Sequence, residues 1–454
     1  MKCLVFAPGI MGTQLDDPLG NVVWPPTAWE YLTGYGKVDE LIRSDLVPSR
    51  IIYKVFIKSV YKTILDDIRN HIRYTEDDSE KRFIPFPYDW RRSNSDSAHI
   101  LASVLDEQFA MHEGPLEINM IGHSMGGLVI RYLIESGEFS GKPWFDKIRN
   151  VITLGTPHLG APKALLMLQG KEGMLGLSGD DIKTLANDPR YPAVFQLVPP
   201  TKSGMTIAKR RAGSLPKLTD PFRSEISNRF GFNSDNIESA RDFWEKLDIK
   251  KRPKHVEYFC FGGGYHETIV ANEYLSANVD PKEMKVARSG DETVPVLSAI
   301  PPELPHRYAE KEHSVIFEDR KLRRFLFEFF EVPSDVRPFS AGAQASESDE
   351  VHVGISLGKP VYLHNETVEL LISYSQPISD PNETIQVVQI EESGDPVEDG
   401  FRKEVSYRFR GAKISNFALK LSYVFPRGLY KVSSVTHPSD DPTDTILVIR
   451  GDES

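Results

Sequence analysis

The chain has 454 residues, 40% hydrophobic and 26% charged, which suits two or three domains with an ample core. A net charge of −11 excludes a general nucleic-acid binder, which needs a basic face, and gives no electrostatic pull toward anionic lipid. The two cysteines, Cys3 and Cys260, sit in apolar runs, which excludes a disulfide framework and fits buried thiols in a reducing compartment.

Cys3-Leu4-Val5-Phe6-Ala7 reads as a central strand that begins almost at Met1 with no leader-like segment, so a cytoplasmic location is expected. No run reaches the ~20 apolar residues of a membrane span. The strand ends in Pro8-Gly9-Ile10-Met11-Gly12, a glycine-bracketed loop able to offer the Ile10 backbone N–H to a ligand. Residues 20–50 lack clean periodicity but carry Trp24, Trp29, Tyr31 and Tyr35, and a lid is expected over about 16–50. Its aromatics could line an apolar groove, touch a bilayer or form a satellite core. Val55, Phe56, Val60, Ile64, Leu65 and Ile68 recur at helical spacing and predict a helix over 54–70. Phe86-Pro87-Tyr88-Asp89-Trp90-Arg91 precedes a second predicted helix, Ser97–His112, capped near Ser95 or Asp96.

The next stretch organises the rest. A strand over 116–121 runs into Gly122-His123-Ser124-Met125-Gly126-Gly127, and a helix follows over 124–136. Gly-x-Ser-x-Gly between a strand and a helix is a nucleophile elbow, in which small neighbours let strand and helix pack closely around a strained serine. The helix start leaves backbone N–H groups without internal partners, so the Met125 N–H joins that of Ile10 as a candidate oxyanion donor. A strand over Ile148–Leu154 leads into Gly155-Thr156-Pro157-His158 at the sheet's carboxyl edge. Strands alternating with helices imply a mostly parallel sheet of α/β class.

Pro8-Gly9-x-x-Gly12, Pro87-Tyr88-Asp89-Trp90-Arg91, Gly122-His123-Ser124-Met125-Gly126-Gly127, Thr153-Leu154-Gly155-Thr156-Pro157-His158 and Gly290-Asp291-x-Thr293-Val294-Pro295 occur in this order. Together they resemble the lecithin:cholesterol acyltransferase-like family of α/β-hydrolases, over roughly residues 1–332. The resemblance implies a Ser-Asp-His triad that lifts an acyl group from a phospholipid or related ester and passes it to water or a lipid alcohol. Secreted members of that family carry a disulfide in the lid; this chain has no cysteine there, so its lid is free of that staple.

Residues 161–255 hold apolar pieces, a basic stretch at Lys209-Arg210-Arg211 and a helix near 237–247, and are expected to form a cap. Both lid and cap are candidates for peripheral membrane contact. In chain order the acid and the histidine follow the serine. Asp291 in its Gly-Asp-x-Thr-Val-Pro loop is preferred over Glu292, and the resemblance agrees. Of twelve histidines, His313 is the best base and His306 the runner-up; His123 and His158 precede the acid. A closing helix is read over Leu322–Phe330. No cofactor or metal is required by this chemistry.

Residues 336–350 are small and acidic, as in a linker between an expected 1–335 hydrolase domain and a 351–454 domain. That last part has strand-like runs at 351–357, 361–374, 385–390, 402–410, 417–424, 429–435 and 444–450, which predict an immunoglobulin-like β-sandwich. It could bind a protein partner or pack onto the hydrolase. Asn-x-Thr triplets at Asn365 and Asn382 carry no meaning without secretion. The sequence thus points to an acyl-ester hydrolase or acyltransferase acting on lipid; the rivals are a soluble carboxylesterase on smaller esters and a partner-recruited effector.

Overall fold

Strand β1 (Lys2–Ala7) shows why an unbroken apolar run makes a central strand. Cys3, Val5 and Ala7 enter one core, whereas Leu4 and Phe6 enter another on the opposite face. β2 (Lys81–Pro85), β3 (Glu117–His123), β4 (Ile148–Leu154), β5 (Glu257–Gly263) and β6 (His306–Ala309) complete a six-stranded sheet. Its order is β6-β5-β4-β3-β1-β2, every pair parallel. In register, Ala7 stands beside Gly122, so the loop leaving β1 lies against the turn leaving β3.

Helix α1 (Asn94–Phe109) and helix α2 (Met125–Glu135) cover one face, and helix α3 (Arg320–Phe329) buries Leu322, Leu326 and Phe327 on the other. This computed structural model describes residues 1–27, 30, 35–55, 58–110, 112, 114–208, 217–274, 280–333, 353–357, 361–363, 366–390, 396–411, 413–426, 428–436 and 445–449. Trp29, Tyr31, Phe56, the 209–211 basic stretch, the 336–350 linker and Asn365 lie outside the described residues. Among those described, no helix is long and apolar enough to cross a membrane.

The predicted 54–70 helix is corrected. Lys54-Val55 pairs with Lys58-Ser59 as a short hairpin, and helix begins only at Lys62, continuing as a π-helical turn over Asp67–Ile72. The β-branched and aromatic residues at its start favour extended backbone despite their helical spacing. α1 starts earlier than expected because Ser93, not Ser95 or Asp96, caps it by accepting the Ser95 N–H. The segment expected as a lid folds into a three-stranded antiparallel sheet of Thr13–Asp16, Val22–Trp24 and Val47–Ile51. Trp24 and Tyr35 are core there, with Trp24 donating to the Met11 carbonyl at 2.9 Å and Tyr35 to that of Val23 at 2.6 Å.

A hairpin of His266–Tyr274 and Lys282–Gly290 was not foreseen; with Thr206–Ala208 and Lys217–Leu218 it builds a second, four-stranded sheet. Its return strand delivers Asp291. Beyond residue 352, strands form two further sheets, of three and five strands, whose Ile355, Val368, Leu370, Ile372, Ile385, Val387, Tyr430 and Val432 share one core. The predicted 361–374 run divides into Val361–Leu363 and Val368–Ile378.

Candidate active site

Ser124 caps α2 with φ 51° and ψ −124°, a left-handed conformation that a serine holds only when its surroundings impose it. They do so through three glycines. A Cβ on Gly122 would stand 2.6 Å from Gly127 Cα, one on Gly126 2.3 Å from the Ala7 carbonyl oxygen, and one on Gly127 2.0 Å from Thr156 Oγ1. Ser124 N–H donates to the Leu154 carbonyl at 2.8 Å, which ties the turn to β4.

His313 Nε2 lies 2.9 Å from Ser124 Oγ, and its Nδ1 lies 2.8 Å from Asp291 Oδ2. Asp291 is fully buried, and its Oδ1 accepts the N–H groups of Thr293 at 3.1 Å and Val294 at 2.7 Å. The Asp291 carbonyl also accepts the His313 N–H at 2.9 Å, so acid loop and histidine segment are locked together. With a carboxylate facing Nδ1, that nitrogen carries the proton and Nε2 presents its lone pair to the serine. Gly155 (φ 56°) and Gly263 leave room for Asp291 and His313. Glu292 points away from this group into solvent, 3.7 Å from His266. His266, Glu292 and Glu312 bring donor atoms within 4.8 Å of one another beside these loops, largely exposed.

The loop leaving β1 closes the other side of the serine. Gly9 is so near that a Cβ there would stand 2.9 Å from Ser124 Cβ, and Met11 is held at φ 61°. Ile10 follows Gly9 in this loop, and Met125 follows Ser124 at the start of α2. His306 caps the Leu304 carbonyl at 2.9 Å from the start of β6, and the structure does not bring it to the serine. His158 is buried, with Nε2 3.0 Å from Thr153 Oγ1, while its carbonyl accepts from Arg131 at 2.9 Å. Arg131 in turn forms a buried bidentate pair with Glu135 at 2.8 and 2.7 Å.

The Pro87–Arg91 block acts as a strut. Tyr88 donates to the Pro8 carbonyl at 2.8 Å and Trp90 to that of Thr13 at 3.2 Å. Arg91, buried, pairs bidentately with Asp89 at 2.8 and 2.7 Å, donates to the carbonyls of Leu41 and Arg43, and stacks on Tyr191 at 4.4 Å. One short segment thus grips the β1 loop, the 13–51 sheet and the 161–255 insertion. Sequence reasoning recognised the block but not this role. It also missed Tyr61, whose hydroxyl lies 2.8 Å from His123 Nδ1.

A parallel sheet with helices on both faces and a serine on a strained strand-to-helix turn at its carboxyl edge defines an α/β-hydrolase fold. The sequence model of lecithin:cholesterol acyltransferase matches residues 50–220, which include Ser124, and over that part the chain is similar to that family. No curated protein matches it. Distant likenesses among solved structures include the lin2722 gene product of Listeria innocua (10% identity over 73% of this chain and 94% of that one, TM-score 0.28). Phospholipase PlaB from Legionella pneumophila (9%, 99% and 94%, 0.28) and a cutinase-like protein from Cryptococcus sp. (12%, 36% and 56%, 0.20) are others. At such TM-scores they decide nothing about this chain.

Proposed function

We propose that the protein is a serine lipase or acyltransferase that cleaves acyl esters of phospholipids or related lipids, with Ser124 as nucleophile, His313 as base and Asp291 as its orienting acid. The unbroken hydrogen-bonded chain from Ser124 Oγ through His313 to Asp291 Oδ2 carries this reading. His313 Nε2 takes the hydroxyl proton as Oγ attacks the ester carbonyl, and Asp291 favours the imidazolium that forms. The oxyanion is received by the N–H groups of Met125 and Ile10; loss of one such donor typically costs ~10²–10³ in turnover. His313 then protonates the departing alkoxide, leaving the acyl group on Ser124. Water or an alcohol, deprotonated by His313, attacks that acyl-enzyme and frees Oγ. The 16–50 and 161–255 segments serve as lid and cap over this site, and the lipid-ester preference rests on the family match over residues 50–220.

A fluorophosphonate should label the wild-type protein and leave Ser124→Ala unlabelled; persistent labelling of the variant would sink the assignment. Incubation with a lipid extract, read by mass spectrometry against Ser124→Ala, should show loss of phospholipid acyl chains and gain of a free fatty acid or a new ester. Turnover confined to short p-nitrophenyl esters would remove lipid from the reading.

A further inference from the structure

His123, the residue before Ser124, takes no part in that mechanism, yet it is buried between the two elements that do. Its Nε2 lies 3.0 Å from the backbone carbonyl of His313, an acceptor only, so Nε2 carries a proton. Burial, reinforced by His313 nearby, holds its pKa down to about 3, so the ring is neutral and Nδ1 offers a lone pair. The buried Tyr61 hydroxyl, 2.8 Å from Nδ1, then donates its proton there. A lone pair on the same oxygen accepts the Gly9 N–H at 2.8 Å.

A single directed chain therefore runs from the Gly9 N–H through the Tyr61 hydroxyl and the His123 ring to the His313 carbonyl. Its rings are packed in place. Tyr61 meets Phe6 edge-on at 5.5 Å and Phe317 at 5.3 Å, and His123 meets Phe317 edge-on at 5.4 Å. One end holds the residue before Ile10 and the other holds the backbone of His313, while His123 is bonded covalently to Ser124.

We propose that Tyr61 and His123 form a positioning pair that keeps the Gly9–Ile10 loop and the His313 backbone at a set spacing about Ser124, so that oxyanion donor and base stay in register. The proposal rests on the roles given above to Ser124, His313 and Ile10. A misplacement of about 1 Å at such groups can cost ~10²-fold in rate.

The test compares Tyr61→Phe, His123→Leu and the double variant on a soluble p-nitrophenyl ester, with rates expressed per site titrated to completion by fluorophosphonate. Each single variant should lose roughly 10- to 100-fold in kcat with KM within about twofold. A trifluoromethyl ketone, which adds to a serine as an oxyanion, should bind more weakly by a similar factor. The double variant should be no worse than the poorer single one, as expected of residues acting as a unit. A pair with only a folding role would lower the melting temperature and the titratable fraction but leave kcat per site unchanged. The proposal is overturned by kcat per site within about twofold of wild type, by multiplicative losses in the double variant, or by failure of both single variants to yield any titratable protein. Ser124→Ala run alongside separates the two readings: activity surviving there defeats the triad, whereas an inactive Ser124→Ala beside a wild-type-like Tyr61→Phe defeats the positioning pair alone.

Discussion

Ser124 keeps its positive-φ backbone in a turn that Gly122, Gly126 and Gly127 allow to pack closely, and the consequences can be measured one residue at a time. A methyl group at Gly126 would meet the main-chain oxygen of Ala7 at 2.3 Å, and backbone in the middle of a sheet cannot move aside as a side chain can. Gly126→Ala should therefore lose about 3 kcal/mol or more of stability in urea denaturation, or fail to accumulate folded. His123 and His158 are buried and His306 half-buried, and desolvation lowers the pKa of each. A histidine held neutral in the fold takes up its proton on unfolding, so the unfolded state binds more protons below the usual histidine range. Stability should then fall as pH drops from about 6.5 toward 4, each proton contributing on the order of 1 kcal/mol per pH unit. Urea midpoints across that range would show it, and His306→Asn should flatten the slope. Ser124 and Asp291 were picked out by short glycine-bearing motifs and His313 by its place in the chain after Asp291, and the structure brings the three side chains within hydrogen-bond distance. The Tyr61–His123 contact was not legible, since it joins residues 62 apart that neither periodicity nor motif connects.

Among the elements, β1, β3 and β4 of the central sheet and its covering helices were readable because apolar runs and helical spacing alternate cleanly there, whereas the short, charge-bearing β2 and β6 were not read as strands. Nor was the 266–290 hairpin: its residues are polar and charged along much of their length, so its two mutually paired strands lack a clear apolar pattern. The strut yields an element-scale prediction. Asp89 and Arg91 are buried together, so removing one charge strands the other. Arg91→Met should cost about 3–5 kcal/mol in denaturant and loosen the 13–51 sheet, seen as faster amide exchange there.

For the whole molecule, the C-terminal strands were legible as alternating runs separated by turns, but not how they meet the rest. Tyr308 of β6 donates to the Ile355 carbonyl at 3.3 Å, and Met205 and Leu297 enter the core of the C-terminal sheets. Such contacts are made by single residues scattered along the chain, which no local pattern announces. We expect a chain truncated after residue 335 to expose Met205 and Leu297, to melt at lower temperature and to scatter more light on heating, while still labelling with fluorophosphonate. The strut has a wider consequence. The carbonyls it and its neighbours hold belong to consecutive residues, Leu41 by Arg91, Ile42 by Tyr191, Arg43 by both and Ser44 by Arg92. A segment grasped by its main chain can exchange its side chains without letting go. The 41–44 segment is therefore free to change its side chains, while the demand for particular residues concentrates in Arg91, Arg92 and Tyr191, which hold its backbone.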